Sequence, residues 1–266
     1  MISAAFLLDL RNSFMKNSID EREVVVNDRI TLIEKKNGLT FGTDAILLSA
    51  FAEPDKTAAT LELGSGSGIC SLLLASHNKA DRIYSVEIQP ELHETAIKNV
   101  EINNFQNVIK PMLSDIRELN ANSFDEPIGT VIANPPYFLF GSGKQSPDKG
   151  KNAARFELNG GVSDFCAAAS KIMRTQGHFY SVMRAERLCD IVSSLKSAGL
   201  EPIKMTFVAH NKNSEPFIVL TEAARISKRS LKITPVLYMR NEDGTPTDDA
   251  ERIYESCSFG EFLKNE

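Results

Sequence analysis

Short apolar runs alternate with helical stretches over most of the chain. Five runs rich in strand-forming residues cover positions 57–62, 82–87, 108–113, 129–133 and 177–182. Strands that alternate with helices are typical of parallel sheets, because each parallel pair needs a crossover connection. The sequence therefore predicts an α/β fold: a mainly parallel sheet with helices on both of its faces.

The C-terminal part of this series breaks the alternation. Helical patterns cover residues 69–76, 90–104, 162–173 and 184–198. The last of them ends at Gly199, a typical residue after a helix C-terminus. Residues 204–208 and 217–223 then follow as strands with no helix between them, which predicts an antiparallel hairpin. The expected architecture is Rossmann-like, a seven-stranded sheet with this hairpin at its C-terminal end.

The first forty residues differ from the rest. Residues 1–22 mix apolar and charged positions and suggest an extension, packed on the body as a helix. Residues 24–26 and 30–34 can pair as short strands around the turn dipeptide Asn27-Asp28. We expect residues 1–40 to be an N-terminal extension with short strands, and residues 41–266 to be the main domain.

A short helix is predicted over residues 41–51, directly ahead of the first strand of the series. Thr43 or Asp44 would cap its N-terminus, and Ile46, Leu47 and Ala50 would face the core. For Asp44, a contact with a ligand is the alternative to this capping role.

Composition narrows the classes of protein that the chain can be. A net charge of −5 and a pI of about 5.5 exclude a strongly basic nucleic-acid binder, although they allow a local basic patch. The four cysteines are far apart and predict free buried thiols in a reducing cytoplasm rather than a disulfide framework or a metal site. No apolar run approaches the roughly eighteen residues of a membrane span. We expect a soluble cytoplasmic protein.

Three glycines follow the first strand of the series, at Gly64, Gly66 and Gly68. Glycine allows a positive φ and lets a ligand approach the main chain closely. The dinucleotide fingerprint GxGxxG would need a third glycine at position 69, where the chain has Ile69. The spacing GxGxG instead indicates a loop that passes under a nucleoside without phosphates, and it argues against an NAD oxidoreductase.

Acidic residues follow the next two strands. Glu87 lies 19 residues after Gly68 and ends the second strand, where a carboxylate can accept hydrogen bonds from both hydroxyls of a ribose. An exposed acid at a strand end is the alternative. Asp115 follows the third strand, so the glycine loop and both acids occupy corresponding strand ends.

The fourth strand, residues 129–133, ends at Asn134, Pro135, Pro136 and Tyr137. Each proline fixes its own φ at about −65° and keeps the preceding residue out of the α region, so the turn is rigid and extended. In an open α/β sheet, ligands bind at this end of the strands. An amide, exposed carbonyls and an aromatic ring can grip a planar molecule that carries an amino group. A Pro-Pro turn capped by a core tyrosine is the alternative.

In this order, the motifs resemble those of class I S-adenosylmethionine-dependent methyltransferases, over roughly residues 40–225. The Asn-Pro-Pro-Tyr turn is similar to that of enzymes that methylate amino or amide nitrogens. Residues 41–48 (FGTDAILL) resemble the same segment of bacterial adenine-N6 methyltransferases of valine-isoacceptor tRNA, which modify an anticodon-loop adenine. Residues 154–157, 184–187 and 236–245 resemble that group and its Gram-positive-type relatives, although Phe156 replaces their usual histidine.

The resemblance implies a role for each motif. S-adenosylmethionine would lie across the glycine loop, and residues 41–266 would be the methyltransferase domain. The implied cofactor contacts are Asp44, Glu62, Gly64, Ser65, Gly66, Gly68, Glu87, Ile88, Asp115 and Ile116. The implied catalytic turn is Asn134, Pro135, Pro136 and Tyr137, with the tyrosine stacked on a flipped base. No metal is implied.

The partner implied by the resemblance is tRNA. Residues 138–157 contain several glycines and lysines and would hold phosphates, unless they form only a solvated loop. The implied RNA contacts are Lys144, Lys149, Lys151, Arg155 and Arg184. The protein is expected to act as a monomer, away from membranes.

Three other functions stay open from the sequence. An N2-guanine rRNA methyltransferase and a protein glutamine N5-methyltransferase would use the same turn. The second normally carries a separate helical N-terminal domain, for which forty residues are too few. A non-catalytic RNA-binding module is the third, and the intact Asn-Pro-Pro-Tyr turn argues against it.

Overall fold

The computed structural model describes residues 21–35, 42–136, 160–225 and 230–264. The long strands of these ranges are β1 (Glu21–Val25), β2 (Thr31–Lys35), β3 (Ala59–Leu63), β4 (Ile83–Glu87), β5 (Ile109–Leu113), β6 (Ile128–Ala133), β7 (His178–Arg184), β8 (Glu201–Ala209) and β9 (Pro216–Ala224). Two short strands follow, β10 (Lys232–Ile233) and β11 (Leu237–Tyr238). The expectation for a helix within residues 1–20 lies outside the described residues.

The helices are α1 (Thr43–Phe51), α2 (Ile69–Ser76), α3 (Pro90–Ile102), α4 (Val162–Ile172), α5 (Leu188–Ser197) and α6 (Asp248–Ser256). Every helix of the predicted series is present. The end of α5 also agrees with the sequence, because Gly199 follows it with a φ of 73°, in the left-handed region that favours glycine.

Nine strands form one sheet in the order β10-β8-β9-β7-β6-β3-β4-β5, and β11 pairs with the C-terminal end of β8. β9 is antiparallel to both of its neighbours, β7 and β8, whereas the other pairs of this sheet are parallel. The predicted α/β architecture is confirmed. The sheet has nine strands rather than seven because β10 and β11, of two residues each, are too short to produce a hydrophobic period in the sequence.

Two local expectations are wrong. β7 continues to Arg184, and a 3₁₀ turn at Ala185–Arg187 precedes α5, so the helix expected from residue 184 begins at Leu188. Neither Thr43 nor Asp44 caps α1. The N-cap is the extended residue Gly42, which makes no side-chain capping hydrogen bond, so both polar residues lie inside the first turn.

β1 and β2 form a separate antiparallel hairpin. The Asn27 side chain accepts hydrogen bonds from the backbone N–H groups of Arg29 and Ile30 at 2.9 and 3.0 Å, which closes the predicted turn. Ile30 and Leu32 are buried in the core beside α1. The hairpin is thus packed on the body, and the division of the chain at residue 40 stays a prediction.

The core lies on both faces of the sheet. On one face, α1, α2, α3 and α6 pack against the strands. On the other, α4 and α5 do so, with Phe165 and Leu195 among the buried side chains. Phe51 of α1 contacts Phe259 edge to face with ring centroids 5.5 Å apart, which joins the C-terminal segment to the first face. Both faces are therefore covered, as a parallel sheet requires.

The four cysteines are free thiols, but only three of them are buried as predicted. Cys189 is exposed because it lies on the outer side of α5.

Within the described ranges, no helix is long and apolar enough to cross a membrane.

Glu222 on β9 is a buried carboxylate surrounded by polar side chains. Its oxygens lie 2.7 Å from His178 Nδ1 and 2.8 Å from Lys204 Nζ, and the Tyr180 hydroxyl donates to it at 3.2 Å. Burial alone would raise the pKa of Glu222, but His178 and Lys204 outweigh it and lower the pKa to about 2. The ionised carboxylate therefore stabilises the folded state.

This network predicts a specific acid sensitivity. Because the folded pKa of Glu222 lies below its unfolded value, its stabilisation is present above the unfolded pKa and is lost as the pH falls toward the folded one. Between pH ~6 and ~3 we expect the group to contribute a loss of about 2 kcal/mol in unfolding free energy. Urea unfolding of the wild type and of Glu222→Gln at both pH values measures it. An equal pH dependence in the two proteins would contradict the assignment.

Candidate functional site

The ends of three adjacent strands bring the predicted motifs together. Leu63 of β3 pairs with Ala133 of β6 and with Val86 of β4, so the residues that follow lie side by side at one edge of the sheet. These residues are Gly64, Asn134 and Glu87. From β3 the chain proceeds toward β5 and later returns to β6 on the other side, so this edge contains the topological switch point where α/β sheets bind ligands.

The glycine loop adopts the conformation for which glycine is needed. Gly64, Gly66 and Gly68 have φ values of 68°, 57° and 86°. A Cβ atom at Gly64 would lie 3.0 Å from the ring of Phe165, whereas a Cβ atom at Gly66 would meet no described residue within 4 Å. Among the described residues, the loop thus contacts Phe165 at Gly64 and is uncovered at Gly66, where a ligand can approach the backbone.

Glu87 is buried and holds this loop. One carboxylate oxygen accepts a hydrogen bond from the Gly66 N–H at 2.8 Å, and the other accepts one from the Gln89 N–H at 2.8 Å. Burial raises the pKa of Glu87, and the backbone donors oppose that effect. The alternative of an exposed acid at a strand end is excluded, since the residue is only 4% exposed.

Glu62 is a buried residue of β3, two positions before Gly64. Its carboxylate accepts hydrogen bonds from the backbone N–H of Ser71, at 3.0 Å, and from the Ser71 hydroxyl. Burial raises its pKa to about 7, against the lowering effect of these two donors. Glu62 thus fixes α2 relative to the end of β3, and a contact with the cofactor stays a prediction.

Asp115 follows β5 at the same edge and is paired with Arg117. The Arg117 Nε donates to both carboxylate oxygens, at 2.9 and 3.0 Å, and this hydrogen bonding lowers the pKa of Asp115. The neighbouring Ile116 is buried against the second face of the core. The carboxylate is ionised and oriented by its arginine, and the predicted contact with a cofactor amine stays a prediction.

Asn134 contacts Asp44 of α1 across 90 residues of sequence. Its Nδ2 lies 3.4 Å from Asp44 Oδ2, and the second oxygen of Asp44 accepts from the Ala45 N–H at 3.1 Å. A carboxylate only accepts hydrogen bonds, so this contact turns the amide nitrogen of Asn134 toward Asp44 and its oxygen away. Pro135 is buried and Pro136 half-buried, which anchors the turn.

The remaining predicted residues divide into two groups. Arg184 ends β7 on the same edge as Asn134, with its side chain partly exposed and 3.9 Å from Glu186. Ser65 is buried and Ile88 half-buried beside the glycine loop. Several predicted residues lie outside the described part of the chain: Tyr137, Lys144, Lys149, Lys151 and Arg155.

Sequence reasoning missed three residues that shape the site. Phe165 supports Gly64, Arg117 orients Asp115, and Asn99 of α3 contacts the glycine loop. Phe165 and Asn99 occupy ordinary buried positions on helices, so no sequence signal separates them from other core residues. The spacing Asp-x-Arg in a turn is a weak signal that a local ion pair forms.

The open side of the loop fits a nucleoside cofactor. The space above Gly66 admits a flat ligand against the backbone, and the buried hydroxyl of Ser65 has no hydrogen-bond partner among the described residues. Glu87 supplies an acceptor next to both features. A polar group of the cofactor in this place would give the Ser65 hydroxyl a hydrogen-bond partner, which no described residue provides.

Comparisons with known proteins agree with this geometry. Residues 51–139, from the end of α1 past the Asn-Pro-Pro turn, match the TRM5/TYW2 methyltransferase domain. A crystal structure of a predicted O-methyltransferase from Agrobacterium tumefaciens aligns with a TM-score of 0.63 and 21% identity, over 81% of this chain and 97% of that one. M. jannaschii TYW2 in complex with AdoMet aligns with a TM-score of 0.51 and 14% identity, over 80% of this chain and 90% of that one.

The fold and the matched domain agree with the predicted class, a methyltransferase that uses S-adenosylmethionine as the methyl donor.

Relatives in sequence point to a narrower group. A tRNA1(Val) (adenine(37)-N6)-methyltransferase of Histophilus somni is 29% identical over 201 residues, which cover 75% of this chain and 83% of the relative. Its counterpart in Bacteroides fragilis is 23% identical over 230 residues, which cover 80% of this chain and 96% of that relative.

Proposed function

We propose that this protein transfers a methyl group from S-adenosylmethionine to the N6 amino group of an adenine in tRNA. One observation carries the proposal: Asn134 lies beside Gly64 at the switch point, with its amide nitrogen held toward Asp44. In this orientation the amide oxygen points away from Asp44, and we propose that it accepts a hydrogen bond from the amino group of the substrate. The similarity to tRNA1(Val) (adenine(37)-N6)-methyltransferases supports the choice of base and RNA.

The residues that would hold the cofactor lie in one row of strand ends. The backbone of Gly64–Gly68 would form the floor, and Glu87, which accepts from the Gly66 N–H, would also accept from the ribose hydroxyls. Asp115 lies one strand further, where it would accept from the cofactor's adenine amine. When bound, S-adenosylmethionine supplies a methyl group made electrophilic by its sulfonium.

The protein's part of the chemistry is to prepare the amine. An exocyclic amine is a poor nucleophile because its lone pair is delocalised into the ring. Two acceptors, Asn134 Oδ1 and the Pro135 carbonyl, would bind its two N–H groups and favour the pyramidal form in which the lone pair is free. These hydrogen bonds strengthen as positive charge develops on the nitrogen, so they stabilise the transition state more than the ground state.

The transfer needs no strong base before attack. A nitrogen–carbon bond forms while the carbon–sulfur bond breaks, and S-adenosylhomocysteine leaves. The methylated nitrogen then carries an acidic proton, which it gives up to water. Catalysis by this site is mainly positioning for an in-line displacement.

The strand ends beyond Asn134 carry basic and aromatic side chains. Arg184 ends β7, and Arg240 follows β11. His210 follows β8, and its ring stacks on that of Phe217 with centroids 4.2 Å and planes 3° apart. Adjacent strands are about 4.8 Å apart, so these ends form a continuous edge beside the catalytic turn. The His210 ring is exposed and that of Phe217 half-buried. Cations next to accessible aromatic rings are typical of surfaces that hold nucleic acid.

Labelled-methyl transfer tests the proposed substrate. Purified protein is incubated with S-adenosylmethionine labelled in the methyl group and with unmodified tRNA, unmodified rRNA or a protein extract. We expect label in tRNA, recovered as N6-methyladenosine after digestion to nucleosides. Label confined to protein would contradict an RNA substrate, and label recovered as N2-methylguanosine from rRNA would contradict the choice of base and RNA.

A further inference from the structure

Two asparagines of α3 bind the edge of β2 as a neighbouring strand would. Asn99 Oδ1 accepts from the Ile33 N–H at 2.6 Å, and Asn99 Nδ2 donates to the Ile33 carbonyl at 3.2 Å. One turn further, Asn103 does the same with the N–H and carbonyl of Thr31, at 3.0 and 2.7 Å. The two side chains thus replace a ladder of backbone hydrogen bonds and attach the β1–β2 hairpin to the helix.

The third hydrogen bond distinguishes the two asparagines. Asn99 Nδ2 also donates to the Ser67 carbonyl, at 3.0 Å, within the glycine loop. Asn103 Nδ2 instead donates to the carbonyl of Asn99, at 2.8 Å, within its own helix. Asn99 is fully buried, and all of its amide hydrogens are used. Of the two asparagines, Asn99 alone therefore joins the β1–β2 hairpin to the glycine loop.

The orientation of the Asn99 amide is set by the hairpin. The Ile33 N–H requires an oxygen opposite it, and the Ile33 carbonyl requires a hydrogen, so the side chain cannot reverse its amide while β2 is in place. The nitrogen then has one hydrogen left, which meets the Ser67 carbonyl. Removal of the hairpin contact would leave only the hydrogen bond to Ser67 to orient that amide.

We propose that Asn99 is a positioning residue for cofactor binding, which holds the glycine loop in its binding conformation through the Ser67 carbonyl and is itself oriented by β2. Glycines at positive φ on both sides of Ser67 leave the loop backbone with much conformational freedom. A loop that is ordered before binding loses less entropy when the ligand arrives. The inference rests on the proposed cofactor site at Gly64–Gly68.

A matched pair of variants tests this role. Asn99→Ala and Asn103→Ala each remove two hydrogen bonds to β2, and only Asn99→Ala also removes the one to Ser67. We expect the Kd for S-adenosylmethionine, measured by calorimetry, to rise about tenfold in Asn99→Ala, the equivalent of one lost hydrogen bond. In Asn103→Ala it should change less than about twofold, although both variants lose thermal stability.

Two further readouts separate positioning from general destabilisation. Hydrogen exchange of the Gly66 amide should become faster in Asn99→Ala and stay unchanged in Asn103→Ala, because only the first variant frees the loop. In steady-state assays the KM for S-adenosylmethionine should rise in Asn99→Ala, with kcat and the KM for tRNA unchanged. Equal cofactor affinities in the two variants would overturn the proposal.

A variant of the hairpin provides a test that keeps Asn99. Ile33→Pro removes the N–H that orients the amide, together with the isoleucine side chain, at an edge position that β1 does not use. We expect a smaller increase in Kd, about threefold. If the wild type binds S-adenosylmethionine and neither Asn99→Ala nor Ile33→Pro weakens binding, the inference is wrong while the proposed function stands. If the wild type itself does not bind the cofactor, both are wrong.

Discussion

Replacement of Asn134 by alanine is expected to reduce kcat about 100- to 1,000-fold, the usual effect of removing one transition-state hydrogen bond from a preorganised site. The variant loses the acceptor that favours the pyramidal amine. The side chain lies at the end of β6, outside the glycine loop, so the Kd for S-adenosylmethionine should stay within about threefold of the wild type. Single-turnover methyl transfer and calorimetry on the same preparation measure the two quantities.

Asn134→Asp is the matched control for this prediction. A carboxylate keeps an acceptor oxygen in the same place, but its charge lies next to Asp44, 3.4 Å from the present amide nitrogen. We therefore expect activity between those of the wild type and the alanine variant. A loss of cofactor affinity in Asn134→Ala, with kcat retained at saturating cofactor, would show that the residue serves binding rather than catalysis.

Replacement of Glu87 by alanine is expected to raise the Kd for S-adenosylmethionine at least about 100-fold, as two charge-assisted hydrogen bonds are lost. The carboxylate accepts from two backbone N–H groups at the ends of β3 and β4, and it is the acceptor proposed for the ribose. The variant would therefore lose both the ligand contact and the hydrogen bond that holds the glycine loop. Calorimetry with S-adenosylmethionine measures the effect.

Glu87→Gln separates these two contributions. Glutamine keeps the shape and one acceptor oxygen, so the bond to Gly66 or to Gln89 can be retained while the charge is lost. We expect a rise in Kd of about tenfold, the equivalent of one hydrogen bond. Cofactor affinity within about fivefold of the wild type in Glu87→Ala would contradict the assignment of the ribose to this residue.

The fold and the row of motif residues were predictable from the sequence for a topological reason. Strands joined by helical crossovers are parallel, so every residue that follows such a strand lies at the same edge. The positions of Gly64, Glu87 and Asn134 follow from that rule alone, before any side chain is placed. The glycine spacing adds the positive φ values, which the structure has at all three glycines.

Contacts between elements that are distant in sequence were not predictable. Asp44 was expected to cap α1, yet its carboxylate lies at the side chain of Asn134. The partner of a polar residue depends on where a second element packs, which local propensity does not encode. The same holds for Asn99, because its partners are the N–H and the carbonyl of Ile33, in a hairpin 66 residues earlier in the chain.

The position of β9 determines the order in which the sheet can be completed while the chain is being synthesised. β9 lies between β7 and β8 and is antiparallel to both, although it is made after them. Until residues 216–224 have left the ribosome, the edge of β7 has no partner strand, and an open edge in a nascent chain promotes aggregation. All the motif residues of the site precede β9, yet the sheet that carries them stays open along β7 until the hairpin closes. Shielding of that edge during synthesis would therefore lower the risk of aggregation.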